Sequence, residues 1–351
     1  MLEKIKNLPD FYGDSLKSVG AWESCRASVL DKILDTEYGV FPKLNKPSTK
    51  AEAVGINFAS KAEWTRVTFN FEGKGKHHEV ETELILPTKK TDYGVLLYID
   101  FSKETPSKYL PVEEIIDGGF GIFKVYYEDI TTDNGDFENG LCGLVDGAGT
   151  DFGKIGVWSY MLRVMVDYLT ENSITKNIAV VGHSRLGKTA LLTAAIDTRI
   201  MLGCINDSGC CGASLSRFKD EGEEKISDIV RVFPYWFKNS FKQYVNNEEL
   251  LPFDQHMLIS LVAPRNLVIG CARQDYWADN DGAFNSLMLA NPVWKLYSKN
   301  GFVHSEYECK SLDYLDGELG YYIREGSHFL SREDWQKYML KFKELLNGNK
   351  E

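Results

Sequence analysis

A serine between two glycines, followed by two histidines and two aspartates able to serve it, is the group of residues in this chain that could carry out acyl transfer. Residues 178–190 read Ile-Ala-Val-Val-Gly-His-Ser-Arg-Leu-Gly-Lys-Thr-Ala. The apolar, mostly β-branched run Ile178 to Val181 predicts a buried parallel strand, and the helix formers from Ala190 to Ile196 predict a helix. Ser184 therefore falls on a sharp strand-to-helix turn. A serine hydroxyl is a weak nucleophile unless it stands clear of the backbone, beside a base and near backbone N–H groups. Six histidines are candidates for the base. His77 and His78 lie near a hairpin turn, where adjacent strand residues face opposite ways and make a poor joint metal site. His183 is locked beside the nucleophile, and His304 follows the polar run Lys299-Asn300-Gly301. His328 and His256 remain, and His256 adjoins the apolar stretch Met257 to Val262, which suits a core residue. For the acid, Asp207 and Asp275 each follow a predicted strand (Met201 to Ile205 and Asn266 to Cys271), where a triad carboxylate belongs.

The elements that must hold these residues are readable in outline. Trp22, Cys25, Val29 and Ile33 recur at steps of three and four, one face of a helix within an N-terminal helical extension, residues 1–60. Trp64 to Pro87 alternates around Glu72-Gly73-Lys74-Gly75 and predicts an antiparallel hairpin. From Gly94 the runs Val95 to Ile99 and Gly121 to Tyr127 predict parallel strands about a helix at Val112 to Ile116. The run Thr131-Thr132-Asp133-Asn134-Gly135-Asp136 is rich in oxygen ligands but lacks the EF-hand spacing and its closing glutamate, so it reads as a plain surface loop. A helix over Lys154 to Leu169 leads into the serine strand. Residues 213–250, with the aromatic run Phe233-Pro234-Tyr235-Trp236-Phe237, read as an insertion over the site, and Ser331 caps a last helix that buries Trp335, Tyr338 and Phe342.

Composition narrows the function class. A chain of 351 residues with 43% hydrophobic content can bury one large core, and the expected unit is a single domain, 1–351. A net charge of -11 argues against nucleic acid, and an acidic substrate would need a local positive patch. Seven cysteines without spaced pairs signal neither a disulfide framework nor a zinc site. No stretch reaches the length of a membrane helix, and the N-terminus lacks an apolar run, so the chain as written is expected to be cytoplasmic, and secreted only if a signal peptide has been removed. No metal or organic cofactor is required, and nothing sets an oligomeric state.

The serine turn departs from G-x-S-x-G, because its second glycine comes one place late, in Gly-His-Ser-Arg-Leu-Gly-Lys. This pattern resembles the elbow of the glucuronoyl esterases, a carbohydrate esterase family (family 15) of α/β-hydrolases. Residues 182–190, 206–212, 251–258, 275–279 and 326–335 are similar to that family's blocks in order and spacing, covering about residues 95–346. The resemblance implies an α/β-hydrolase fold: a three-layer αβα sandwich with a mostly parallel central sheet and an N-terminal antiparallel hairpin. It implies Ser184 as nucleophile, His328 as general base in the loop before the last helix, and Arg185 as an aid to the oxyanion. Asp275 is the first choice of acid and Asp207 the alternative. Lys188, Glu223 and Trp277 match positions that contact the sugar. The expected partner is a small-molecule or oligosaccharide uronate ester. The expected reaction is hydrolysis of glucuronic or 4-O-methyl-glucuronic acid esters; alternatives are removal of acetyl or other acyl groups, and a non-catalytic carbohydrate-binding relative.

Overall fold

Ten strands form one sheet in the order β1-β2-β3-β5-β4-β6-β7-β8-β10-β9 in the computed structural model, which describes residues 5, 7–89, 93–304 and 313–348. β1 (Ser48–Asn57), β2 (Ala62–Gly73) and β3 (Lys76–Pro87) are antiparallel, and β3 joins β5 (Gly121–Tyr126) antiparallel. From there β5, β4 (Val95–Asp100), β6 (Ile178–His183), β7 (Leu202–Asn206), β8 (Asn266–Ala272) and β10 (Leu319–Arg324) run parallel, and the short β9 (Asp313–Tyr314) closes the edge antiparallel. The predicted hairpin turns at Lys74 and Gly75, both with positive φ (51° and 70°), as a two-residue turn matched to strand twist requires. The N-terminal segment differs from its expectation. Helix α1 (Val19–Ile33), capped by Ser18, is present, but residues 48–57 form β1 on the hairpin's open edge rather than part of a helical extension.

The parallel strands are buried on both faces, which is why they read as unbroken apolar runs. Val95, Leu97 and Ile99 of β4 pack on one side with α4 (Lys154–Glu171), α5 (Arg185–Ile196) and α8 (Asn280–Leu296). Leu96 and Tyr98 point the other way, toward α2 (Val112–Asp117) and α9 (Arg332–Gly348). Three short helices, α3 (Tyr127–Ile130), α6 (Ile226–Val232) and α7 (Gln255–Ser260), sit in the connections. Helices on both faces of a mostly parallel sheet make three layers, and all the parallel strands end at one edge, where the loops after β4 to β8 and β10 meet. Among the described residues no helix is long and apolar enough to cross a membrane.

Candidate active site

Ser184 stands between β6 and α5 with φ 57° and ψ -129°, a conformation that non-glycine residues rarely adopt. The two glycines explain the turn. A Cβ on Gly182 would lie 2.0 Å from the Leu186 carbonyl oxygen, so the chain can double back here only without a side chain. A Cβ on Gly187 would lie 3.0 Å from both the Asn206 carbonyl oxygen and Ser208 Cβ, so the late glycine lets α5 approach the end of β7. The Ser184 N–H donates to the Asn206 carbonyl at 2.9 Å and holds the turn. Arg185 opens α5, where a first-turn N–H has no intrahelical acceptor and is the donor that an elbow of this type offers an oxyanion.

The loops after β8 and β10 run side by side: Arg273 N donates to the Arg324 carbonyl at 2.9 Å and Gln274 N to the Gly326 carbonyl at 3.0 Å. This brings Asp275 to His328, with Nδ1 and Oδ2 2.6 Å apart. Asp207 joins them, and ligand atoms of Asp207, Asp275 and His328 lie within 4.8 Å of one another. Such a triangle could receive a cation, but the Asp275–His328 hydrogen bond already occupies two of the atoms. Asp207 is tied elsewhere: its Oδ1 accepts the Ala272 N–H at 2.8 Å, and its Oδ2 has no hydrogen-bond partner among the described residues and lies 3.5 Å from Arg324 Nη2. Burial, followed by the charge of Asp275, pushes the Asp207 carboxyl well above the usual range, in the direction of the neutral acid. Of the two candidates, Asp275 thus meets the imidazole and Asp207 braces the end of β8. His256 is buried in α7 against the rings of Phe11 and Tyr12, away from this site. Ser184 and His328 both line two cavities, one of ≈ 360 Å³ and one of ≈ 710 Å³, that meet at the elbow.

The smaller cavity carries the remaining predicted residues, with one correction. Lys188 is buried, and its ammonium donates to the carbonyls of Ser208 (2.7 Å) and Cys210 (2.5 Å) and to Glu224 Oε2 (2.9 Å). Its partner is Glu224 and not Glu223. Glu223 folds back onto its own turn, accepting the Asp220 N–H at 2.6 Å, and lies in a different cavity beside Arg217 and Asp279. Glu224 N donates to the Trp277 carbonyl at 2.9 Å, which ties Glu224 to the cavity wall that it shares with Trp277. Trp277 is 46% exposed and lines the same cavity as Glu224, Phe233 and Trp236. The segment 213–250 thus supplies Glu224, Phe233 and Trp236 to the cavity wall.

Two groups beside the elbow were not singled out by sequence reasoning. Asn206 Nδ2 donates to Asp334 Oδ1 at 3.1 Å, so its Oδ1 is the acceptor for His183 Nδ1 at 2.7 Å. This sets the His183 tautomer, and the ring centroid lies 4.4 Å from that of His328. Burial, then the neighbouring His328, drives the His183 pKa well below its ordinary value and keeps the ring neutral. The second group is Asp133, in the segment read as a plain loop, which forms an ion pair with Arg185. The only signal for it was an oxygen-rich loop after a strand at the binding edge of the sheet.

An elbow serine at the carboxyl edge of a parallel sheet, with a histidine–aspartate pair carried by loops after later strands, defines an α/β-hydrolase. Within that class the chain belongs to the glucuronoyl esterase family: the family model described as glucuronyl esterase, fungi, matches residues 70–298. The chain is 37% identical over 238 residues to carbohydrate esterase MZ0003 from an unknown prokaryotic organism, a match spanning 65% of this chain and 54% of that protein. It spans about half the length of the curated relatives it matches. Among solved structures, a promiscuous CE15 esterase from a marine bacterial metagenome superposes with TM-score 0.83 and 27% identity, covering 93% of this chain and 92% of that one. A glucuronoyl esterase from Solibacter usitatus superposes with TM-score 0.81 and 28% identity, covering 93% of each chain.

Proposed function

We propose that this protein is a serine carboxylesterase hydrolysing esters of glucuronic acid or 4-O-methyl-glucuronic acid. Ser184 attacks the ester carbonyl while His328 takes its proton, and Asp275 holds the imidazole by its Nδ1 and stabilises the imidazolium. The tetrahedral oxyanion is met by the Arg185 N–H and guanidinium. His328 then protonates the departing alcohol, and a water activated by the same histidine releases the uronate from Ser184. Asp207 takes no part in the proton transfers and holds the end of β8 through the Ala272 N–H.

The observation that carries the substrate reading is the ≈ 360 Å³ cavity. Its lining includes the cations Arg185 and Lys188, the carboxylate of Glu224 and the half-exposed indole of Trp277 beside the serine and histidine, and a uronic acid has a use for three of them: Arg185 for its carbonyl oxygen, Glu224 for its hydroxyls, Trp277 for its apolar ring face. The glucuronoyl esterase among its structural relatives supports this choice. A broader acyl-carbohydrate esterase is the second reading, favoured by one fact: all three Lys188 ammonium protons are engaged by the protein, which leaves that cation less available to a sugar than the sequence suggested. Comparing kcat/KM for benzyl glucuronate and para-nitrophenyl acetate separates the two. Uronoyl specificity predicts a preference for the glucuronate ester of at least about a hundredfold, short of the roughly 10⁴ by which a polar site can reject substrates lacking its partners. Equal values would transfer the assignment to the second reading.

A further inference from the structure

We infer that Asp133 is the positioning residue for the Arg185 guanidinium, and through it for the oxyanion site; the inference rests on the role proposed for Arg185 above. Arginine has many rotamers, and an oxyanion donor lowers a barrier only if it is held in place before charge develops. The Arg185 guanidinium has one hydrogen bond among the described residues, from Nη1 to Asp133 Oδ2, and its Nε is buried without a partner there. One edge of the fork is therefore fixed, while the residue borders both cavities at the serine. Asp133 also fixes the surface on which the guanidinium rests. Its Oδ1 accepts Trp236 Nε1 at 2.8 Å, its carbonyl accepts the Tyr235 hydroxyl at 2.7 Å, and its side chain is only 5% exposed. The Arg185 Cζ lies 4.7 Å from the ring centroids of both Phe233 and Trp236, which are stacked on each other at 4.0 Å. One carboxylate thus ties both the cation and the aromatic pair at its side. Its loop is itself anchored, because the buried Lys154 ammonium donates to the Asp136 carbonyl at 2.6 Å and to that of Thr132.

A double-mutant cycle on benzyl glucuronate hydrolysis tests this, with Asp133→Asn, Arg185→Ala and the pair. Arg185→Ala is expected to lower kcat by about a hundredfold, the usual loss for one oxyanion donor. Asp133→Asn should lower kcat by about tenfold with KM changed less than about threefold, the pattern of an interaction made mainly in the transition state. Beside Arg185→Ala, the Asp133→Asn change should cost clearly less than it does in the wild type, the remainder being its hold on Trp236. If Asp133→Asn costs the same factor whether or not Arg185 is present, the positioning role is overturned while that of Arg185 stands. If Arg185→Ala leaves kcat unchanged, the oxyanion role itself fails and takes the inference with it. Should Asp133→Asn not fold, as a melting curve will tell, Asp133→Glu run through the same cycle gives the same decision.

Discussion

At the scale of single residues, the division between the two aspartates is the sharpest consequence of the site. They sit in one triangle, but only Asp275 touches the imidazole, whereas Asp207 spends Oδ1 on the Ala272 N–H and is pushed toward its neutral form. Two carboxylates this close do not both ionise readily, and burial, the largest cause of the shift, favours the proton on Asp207. Replacing a neutral acid by an amide changes little, while replacing the carboxylate that orients a catalytic histidine changes the tautomer and the charge. Asp275→Asn should therefore lower kcat by about 10³ to 10⁴, the scale for a triad acid, and Asp207→Asn by no more than about tenfold. Steady-state kinetics of the two variants decide it, and the reverse ranking would make Asp207 the triad acid. The serine was legible because strand, glycine and helix former must follow in that order. Asp207 against Asp275 was not, because both follow strands, and only the pairing of the β8 and β10 loops selects one.

Elements decide which acidic residue reaches the cavity. Glu223 and Glu224 are chemically identical and adjacent, so composition and spacing cannot choose between them. The choice is made by the Glu224 N–H bonding to the Trp277 carbonyl and by Glu223 closing its own turn on Asp220. Glu224→Gln is expected to raise KM for benzyl glucuronate by about tenfold, near the 1.4 kcal/mol of one good polar contact, while Glu223→Gln leaves it unchanged. A rise with Glu223→Gln alone would return the contact to the residue first expected. Lys188→Met should act differently, through the loop it ties down. It leaves Glu224 without its buried partner and should cost about 3–5 kcal/mol of stability, measured by denaturant unfolding. The same scale shows what hydrophobic pattern conveys. β4, β5, β6, β7 and β8 were legible as apolar runs, but β10, Leu-Gly-Tyr-Tyr-Ile-Arg, mixes a glycine and an arginine into its run. Arg324 is buried there because Asp334 accepts from its Nε at 2.7 Å, a pairing 10 residues apart that no periodicity signals. β1 was equally hidden, since its residues are almost all exposed and it holds its place by backbone pairing with β2.

For the whole molecule, stability and activity are set by charges the sheet and its helices have buried. Glu37, in the turn after α1, is fully buried with Gln255 as its hydrogen-bond donor at 2.9 Å, and burial pushes its pKa from 4.5 to about 8. The folded state therefore binds more protons than the unfolded chain between those values, and stability falls as pH rises through them, by up to about 1.4 kcal/mol per pH unit. His256, lowered from 6.5 to about 4, works in the opposite sense, its contribution being lost as pH falls through that range, so the window free of its effect lies from pH 6.5 to 8. Melting temperature should decline across that window in the wild type and less steeply in Glu37→Gln, the raised Asp207 carboxyl acting in the same sense as Glu37; parallel declines would remove Glu37 as the cause. The overall layering was readable from the alternation of periods along the chain. The clustering of Arg185, Asp133 and Trp236 was not, because it joins three segments that meet only at the carboxyl edge of the sheet. Everything proposed for function turns on Ser184 attacking a uronoyl carbonyl, so the most direct measurement is benzyl glucuronate hydrolysis by wild type and a folded Ser184→Ala variant. The account predicts turnover by the wild type and a fall of about 10⁶ in kcat for the variant, the scale for loss of a triad nucleophile; a Ser184→Ala enzyme that still hydrolyses the ester at a comparable rate would contradict it.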